Sequence, residues 1–259
     1  MNLQLEGKRA LVTGSTAGIG FAIAEALVNE GASVIVNGRT QKRVDEAIAK
    51  LKGKVEGIAA DLGTADGAAK VAERFPNVDI LVNNLGIFEV KQFEDIDDAD
   101  WRRFFEVNVL SGVRMSRQYL PGMKQRNWGR IIFISSESGV QIPTEMIHYG
   151  MTKTAQIAVA RGLAETTKGT NVTVNSVLPG PTASEGVGNF VKSMAEAQKT
   201  DAATVEREFF KNVRPSSLIQ RFSRTEEVAA LVAFVASPLS SSTNGAALRV
   251  DGGVVQAIL

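Results

Sequence analysis

The chain has 259 residues, 44% of them hydrophobic and 22% charged, with a formal net charge of +1. That balance is ordinary for one soluble α/β domain and gives no general attraction to nucleic acid or membranes. Cysteine is absent and His148 is the single histidine, which excludes disulfides, thiolate nucleophiles and cysteine- or histidine-cluster metal sites.

The N-terminal run MNLQLEGKRALVTG lacks the apolar core and small-residue cleavage site of a signal peptide. No apolar run reaches the ~20 residues of a membrane helix. A cytoplasmic protein without a metal is expected.

Short β-branched runs alternate with helical patterns along the chain. Strands are predicted at Arg9–Thr13, Ser33–Asn37, Val55–Ala60, Asp79–Asn83, Arg130–Ser135, Asn171–Leu178 and Ala247–Val250. Several are apolar nearly throughout, as strands covered on both faces are. Helices are predicted at Ile19–Glu30, Thr40–Leu51, Thr64–Phe75, Asp98–Gln125, Thr144–Thr167 and Thr225–Ala236. The alternation predicts one doubly wound α/β domain, residues 1–259, with a seven-stranded parallel sheet flanked by helices. Such sheets bind ligands beyond the carboxyl ends of their strands. Residues 181–220 break the rhythm just after a strand end and read as a substrate loop or lid, or as a structural helical hairpin.

The first strand runs into Thr13-Gly14-Ser15-Thr16-Ala17-Gly18-Ile19-Gly20 and then a helix. Glycines permit a sharp turn and close approach of a ligand to backbone. The helix start offers unsatisfied N–H groups to a pyrophosphate. The G-x-x-x-G-x-G spacing is a variant of the dinucleotide fingerprint, and no Lys-Ser/Thr follows it as a P-loop requires.

The second strand ends at Gly38-Arg39, where NAD-binding units place a carboxylate for the ribose hydroxyls. A guanidinium pairs with a 2′-phosphate, and Lys42 and Arg43 add charge nearby. NADP(H) is therefore expected, with NAD(H) as the second choice. Asp61 follows the third strand; it would accept from an adenine amino group, cap the helix near Thr64 or shape the turn.

Tyr149 and Lys153 lie four residues apart, on one helix face, and Ser136 lies thirteen residues before the tyrosine. A phenol has a pKa near ~10 and needs help to act as a base at neutral pH. A fixed positive charge beside it is expected to lower that value. Alone, the pair is equally an ordinary surface pair. Ser135 and Ser138 compete with Ser136, which the spacing favours. His148 is one residue, about 100° of helix, away from Tyr149 and reads as a packing or rim residue.

TGSTAGIG, Asp61-Leu62, Asn83-Asn84-Leu85-Gly86, Asn108, Ser136, Tyr149/Lys153, Pro179-Gly180 and Asp251-Gly252-Gly253 follow in an order that resembles the short-chain dehydrogenase/reductase family nearly end to end. The likeness is greatest to 3-oxoacyl-(acyl carrier protein) reductases and related carbonyl reductases. The resemblance implies hydride transfer between a nicotinamide and a carbonyl or secondary alcohol. Tyr149 would be the general acid/base and Lys153 would lower its pKa and hold the nicotinamide ribose. Ser136 would orient the substrate oxygen, and Asn108 would hold a water relaying protons through Lys153.

It also implies cofactor contacts from Gly14, Ser15, Thr16, Gly18, Ile19, Gly20, Arg39, Asp61, Leu62, Asn84, Gly86, Tyr149, Lys153, Pro179, Gly180, Thr182 and Ser184, and a homotetramer. Leu85 stands where the family has alanine, making that wall bulkier, and Ser184 stands where it often has threonine. A 3-oxoacyl thioester, a sugar or a steroid alcohol would suit as substrate. The apolar tail from Val254 to Leu259 would be a costly exposed patch on a monomer, unless it packs within its own subunit. A silent dinucleotide sensor would not need Ser136, Tyr149 and Lys153. An epimerase would carry a larger C-terminal domain.

Overall fold

A computed structural model describes residues 1–258, apart from the side chains of Asn189, Phe190 and Gln198. Seven strands form one parallel sheet in the order β3-β2-β1-β4-β5-β6-β7. They are β1 (Arg9–Val12), β2 (Ser33–Gly38), β3 (Val55–Ala59), β4 (Ile80–Asn83), β5 (Gly129–Ile134), β6 (Val172–Pro179) and β7 (Ala247–Val250). The order reverses at β1, as in a Rossmann fold, and opens a crevice between β1 and β4.

The helices are α1 (Gly18–Asn29), α2 (Gln41–Ile48), α3 (Ala65–Arg74), α4 (Asp98–Phe105), α5 (Ser111–Gln125), α6 (Ile147–Glu165), α7 (Glu185–Gln198), α8 (Ala202–Asn212) and α9 (Thr225–Ala236). Every strand and helix expected from the sequence is present, with ends displaced by up to a few residues. The long helix expected over Asp98–Gln125 is continuous but contains a wide π turn at Glu106–Leu110. Among the described residues, no helix is long and apolar enough to cross a membrane.

Strand alternation divides the core in two. Ala10, Val12, Ile80, Val82, Ile132 and Ile134 pack on one face, under α1 and α9. Leu11, Leu81, Ile131 and Phe133 pack on the other, with Val71, Met115, Met123 and Ala160 from α3, α5 and α6. Each fully buried side chain of this size contributes roughly 1.5–3 kcal/mol, so the sheet is a firm base for the loops at its edge.

The strands run the same way, so their carboxyl ends share that edge. The glycine loop follows β1, Arg39 follows β2, Asp61 follows β3, Asn84 follows β4, Ser136 follows β5 and Gly180 follows β6. The C-terminal tail divides: Val254 and Val255 are buried within the subunit, whereas Ile258 is 93% exposed. Leu259 lies outside the described residues.

Candidate active site

The glycine loop is locked to its neighbours from within. Asn84 Nδ2 donates to the carbonyls of Thr13 (2.9 Å) and Gly14 (3.0 Å), and Thr13 Oγ1 accepts from the backbone N–H groups of Asn84 and Leu85. Gly14 and Gly18 have φ of +61° and +58°, which only glycine adopts freely. A Cβ on Gly20 would lie 2.4 Å from Asn84 Nδ2 and 2.5 Å from Gly14 O.

Helix α1 then starts with Ala17 at its cap, no side-chain cap bond and no acidic residue in its first turn. The orphan N–H groups and positive dipole end of α1 therefore meet no capping side chain among the described residues, which is what an anionic phosphate requires. The residues fit a dinucleotide. Ser15, also among the expected contacts, ties neighbouring strands together through its hydroxyl. It is fully buried; its hydroxyl donates to Val12 O (2.7 Å) and accepts from Asn37 N (3.0 Å), and its N–H donates to Asn37 O. These bonds splice β1 to β2, so the Ser15 side chain serves the fold.

Gly38 lies against Thr16; a Cβ there would sit 2.4 Å from Thr16 Cγ2. Arg39 is exposed and, among the described residues, makes no ion pair. Arg43 pairs with Glu185 at the start of α7 (2.8 Å). Asp61 is exposed, and its Oδ1 accepts from Gly63 N while Thr64 caps α3. The capping role therefore belongs to Thr64. Leu62 is buried in the core. Ile19 packs partly against the opposite core.

Beyond β6, Gly180 is held against Asp251, whose carbonyl would lie 2.4 Å from any Cβ. Thr182 is buried, bonded to Gly180 O, and bridges to Ser223; Ser184 caps α7. Gly18 adjoins Ser184, so the start of α7 closes on the glycine loop.

Ser136, Tyr149 and Lys153 converge beside this loop. Gly86 lies between Lys153 and Asn108, with Lys153 Nζ 3.4 Å from where its Cβ would be. Lys153 is buried. Its Nζ donates to Ile134 O (2.9 Å) and Gln156 Oε1 (3.3 Å) and stands 5.5 Å from the Tyr149 ring centre. Burial pushes its pKa down to about 8. Tyr149 is partly buried, with Phe88 edge-on to its ring at 6.4 Å.

The lowering of the Tyr149 pKa expected from Lys153 is not what this structure gives. Burial pushes the phenol above its ordinary range and the carboxylate of Glu137 pushes it further; Ser136 and Arg214 act the other way. The ammonium is held by Ile134 and Gln156, and loss of solvation is the largest influence on the phenol.

Ser135 donates to Lys153 O (2.8 Å) and thereby fastens β5 to α6. Ser136 Oγ donates to Glu137 Oε2 at 2.5 Å and accepts from Ser138 N. Asn108 sits in the π turn. Its Oδ1 accepts from Ile87 N, and its Nδ2 donates to Ile87 O and Thr152 Oγ1. Its backbone carbonyl accepts from Gln156 Nε2 at 2.5 Å. Gln156 thus links Lys153 to Asn108. His148 is fully buried between Phe104 and Trp101, both ring nitrogens without a partner; it is a packing residue.

Sequence reading missed Glu137, Gln156 and Arg214. Gln156 was findable, since it lies three residues from Lys153 on the same helix face. Arg214 is buried, its Nε 3.1 Å from Glu137 and its Nη1 3.2 Å from Glu145. Lys192, Lys199 and Lys211 are exposed. Phe209 and Phe210 pack with Phe222 at about 5 Å between ring centres, and Phe210 is fully buried. Phe190's side chain lies outside the described residues.

A family model for short chain dehydrogenases matches residues 8–195. The oxidoreductase YvaG of Bacillus subtilis (strain 168) is 51% identical, over the whole of both chains. The 3-oxoacyl-(acyl-carrier-protein) reductase FabG of Aquifex aeolicus is 35% identical, over 98% of this chain and 100% of its own. Among solved structures, L-sorbose reductase from Gluconobacter frateurii, complexed with NADPH and L-sorbose, superposes with a TM-score of 0.93 at 30% identity over the whole of both chains. With the sheet order, the glycine loop and the Ser136–Tyr149–Lys153 cluster, these matches establish that the chain belongs to the short-chain dehydrogenase/reductase family of NAD(P)-dependent oxidoreductases acting on CH–OH groups.

Proposed function

We propose that this chain is an NADP(H)-dependent reductase of carbonyls, or dehydrogenase of secondary alcohols, with Tyr149 as its general acid/base. The observation that carries this reading is the meeting of Ser136, Tyr149 and Lys153 beside an uncapped helix start at one sheet edge. Residues Gly14, Thr16, Gly18, Ile19 and Gly20 would hold the pyrophosphate, and Arg39 the 2′-phosphate. Asn84, Gly86, Pro179, Gly180, Thr182 and Ser184 would line the nicotinamide end.

The bound dinucleotide supplies or takes the hydride. Ser136 and Tyr149 hold the substrate oxygen, and the phenol proton moves to that oxygen as the carbonyl is reduced. Lys153 would hold the ribose, and Gln156, bonded to Asn108, holds Lys153 in place. Residues 181–220 would act as a lid over the substrate. The solved NADPH complex of L-sorbose reductase supports the choice of NADP(H). A cytoplasmic homotetramer is the accompanying proposal.

Tyr149→Phe removes the only proton this mechanism moves. Turnover of a verified substrate should fall on the order of a thousandfold, with NADPH binding still measurable by fluorescence titration. Wild-type turnover in that variant would rule out the assignment.

The substrate reading starts from 3-oxoacyl thioesters, as in the FabG relative. A second reading, a polyhydroxylated ketone, is favoured by the buried carboxylate of Glu137 beside Ser136, an acceptor for hydroxyl groups. It is also favoured by the withdrawal of Arg214 from any anionic carrier. Loss of NADPH absorbance with acetoacetyl thioester but not L-sorbose would support the first, and the reverse the second.

A further inference from the structure

Glu137 and Arg214 are separated by 77 residues, yet their side chains meet. Glu137 is 4% exposed and Arg214 9%. Burial of a lone carboxylate costs several kcal/mol, so a buried charge is kept only where partners fill its lone pairs. Donors reach both oxygens of Glu137, three on Oε2 and one on Oε1. Oε2 accepts from Ser136 Oγ (2.5 Å), Ser138 N (2.6 Å) and Ser138 Oγ (2.9 Å). Oε1 accepts from Arg214 Nε. Arg214 in turn spans to Glu145 Oε1 and to its own neighbour's carbonyl, Val213 O. It lies just beyond α8, at the end of the helical pair that follows β6, with Phe209's ring 6.0 Å away.

We propose that Glu137 and Arg214 form a latch by which the α7–α8 segment sets the direction of the Ser136 hydroxyl and tunes the charge felt by Tyr149. Both are then positioning residues for the proton transfer. This rests on the reading of Ser136 and Tyr149 given above. Ser136 alone has a freely rotating hydroxyl; Glu137 Oε2 holds that hydroxyl in one resting direction, from which it turns to donate to the substrate oxygen. Glu137 alone would set a full negative charge beside the phenol. Arg214 offsets that charge while its segment is docked. The charged and titratable groups facing Glu137 are Arg214 after α8, Glu145 before α6, and Tyr149 on α6, with the Lys153 ammonium 5.5 Å from the centre of the Tyr149 ring. The charge sum at the latch therefore depends on whether Arg214 is present.

The two single variants have opposite predicted effects. In Glu137→Gln the negative charge beside the phenol is lost, so phenolate forms more readily. In Arg214→Met the offset is lost, so phenolate forms less readily. NADP+-dependent oxidation of two probe alcohols, D-sorbitol and ethyl 3-hydroxybutanoate, is followed against pH. The alkaline rise in kcat should move to lower pH in Glu137→Gln and to higher pH in Arg214→Met, each by on the order of one pH unit. In both, kcat should fall about tenfold with KM for NADP+ unchanged. Arg214→Lys keeps the charge but cannot fork between two carboxylates, so kcat should fall with the rise left in place.

The chain has two tyrosines, so Tyr119→Phe leaves Tyr149 as the sole phenol. In that background the onset of phenolate absorbance should shift in the same opposite directions without any substrate. Near-UV circular dichroism checks that each variant is folded. Shifts in one common direction, or none in folded variants, overturn the latch. If Tyr149→Phe abolishes turnover while both variants behave as wild type, the latch alone falls. If Tyr149→Phe retains turnover, the reading beneath it falls.

Discussion

Lys153 carries its charge where burial disfavours it, and the consequence is measurable. The unfolded chain holds this proton to about pH 10.5 and the folded chain only to about 8. A depressed lysine pKa means that the cost is present in full below pH 8 and fades as pH rises toward 10.5. The variant Lys153→Met also loses two hydrogen bonds, each worth roughly 0.5–1.5 kcal/mol. It should still be more stable than wild type by on the order of 1 kcal/mol at neutral pH, a rise in Tm of roughly 2–4 °C, while losing turnover. Thermal unfolding of the cofactor-free protein checks this, and the advantage must vanish at alkaline pH. At Arg39 the argument is one of charge alone. Arg39→Asp should weaken NADP(H) at least tenfold, about 1.4 kcal/mol, and leave NAD(H) little changed. Parallel fluorescence titrations decide it, and equal losses would remove the 2′-phosphate role.

At the scale of elements, the glycine loop and the π turn do related work. Each breaks regular structure to bring backbone groups to the site. Gly20 lies in the first turn of α1, where Asn84 and Gly14 leave no room for a Cβ. Gly20→Ala must push Gly14's carbonyl or break the Asn84 tie. Overpacking of this kind costs roughly 1–3 kcal/mol, and NADPH affinity should fall at least tenfold because the displaced atoms belong to the cradle. A thermal melt and an NADPH titration test both parts, and wild-type affinity would contradict the cradle. This loop was legible because strand, glycine spacing and helix adjoin in the chain. The π turn at Glu106–Leu110 was not, since no local pattern marks it. It survives because Asn108 is bonded by Ile87, Thr152 and Gln156, partners from two other elements.

For the whole molecule, the open question of surface is assembly. Ile258 is 93% exposed, with Phe88, Val90 and Phe93 also exposed. Apolar side chains left in water at a chain end favour burial against another copy. Light scattering at working concentration should give the mass of four chains of 27.7 kDa, and Ile258→Glu should weaken that assembly. A monomer mass for the native chain would remove the idea.

The fold was open to reading from the chain alone because its determinants are local. Buried parallel strands are apolar on both faces, helices carry a 3.6-residue stripe, and each strand end carries its own motif. Those features located the glycine loop, and the family resemblance singled out Ser136, Tyr149 and Lys153. The environment of these groups was settled only by tertiary contact. Glu137 meets Arg214 across 77 residues, Gln156 meets Asn108 across 48, and Ser15 turns inward to splice β1 to β2. Solvation is likewise a property of the packed molecule. Tyr149 and Lys153 share a helix face by sequence, but burial and then Glu137 raise the phenol's pKa, because removing water from a charge is the largest influence on it.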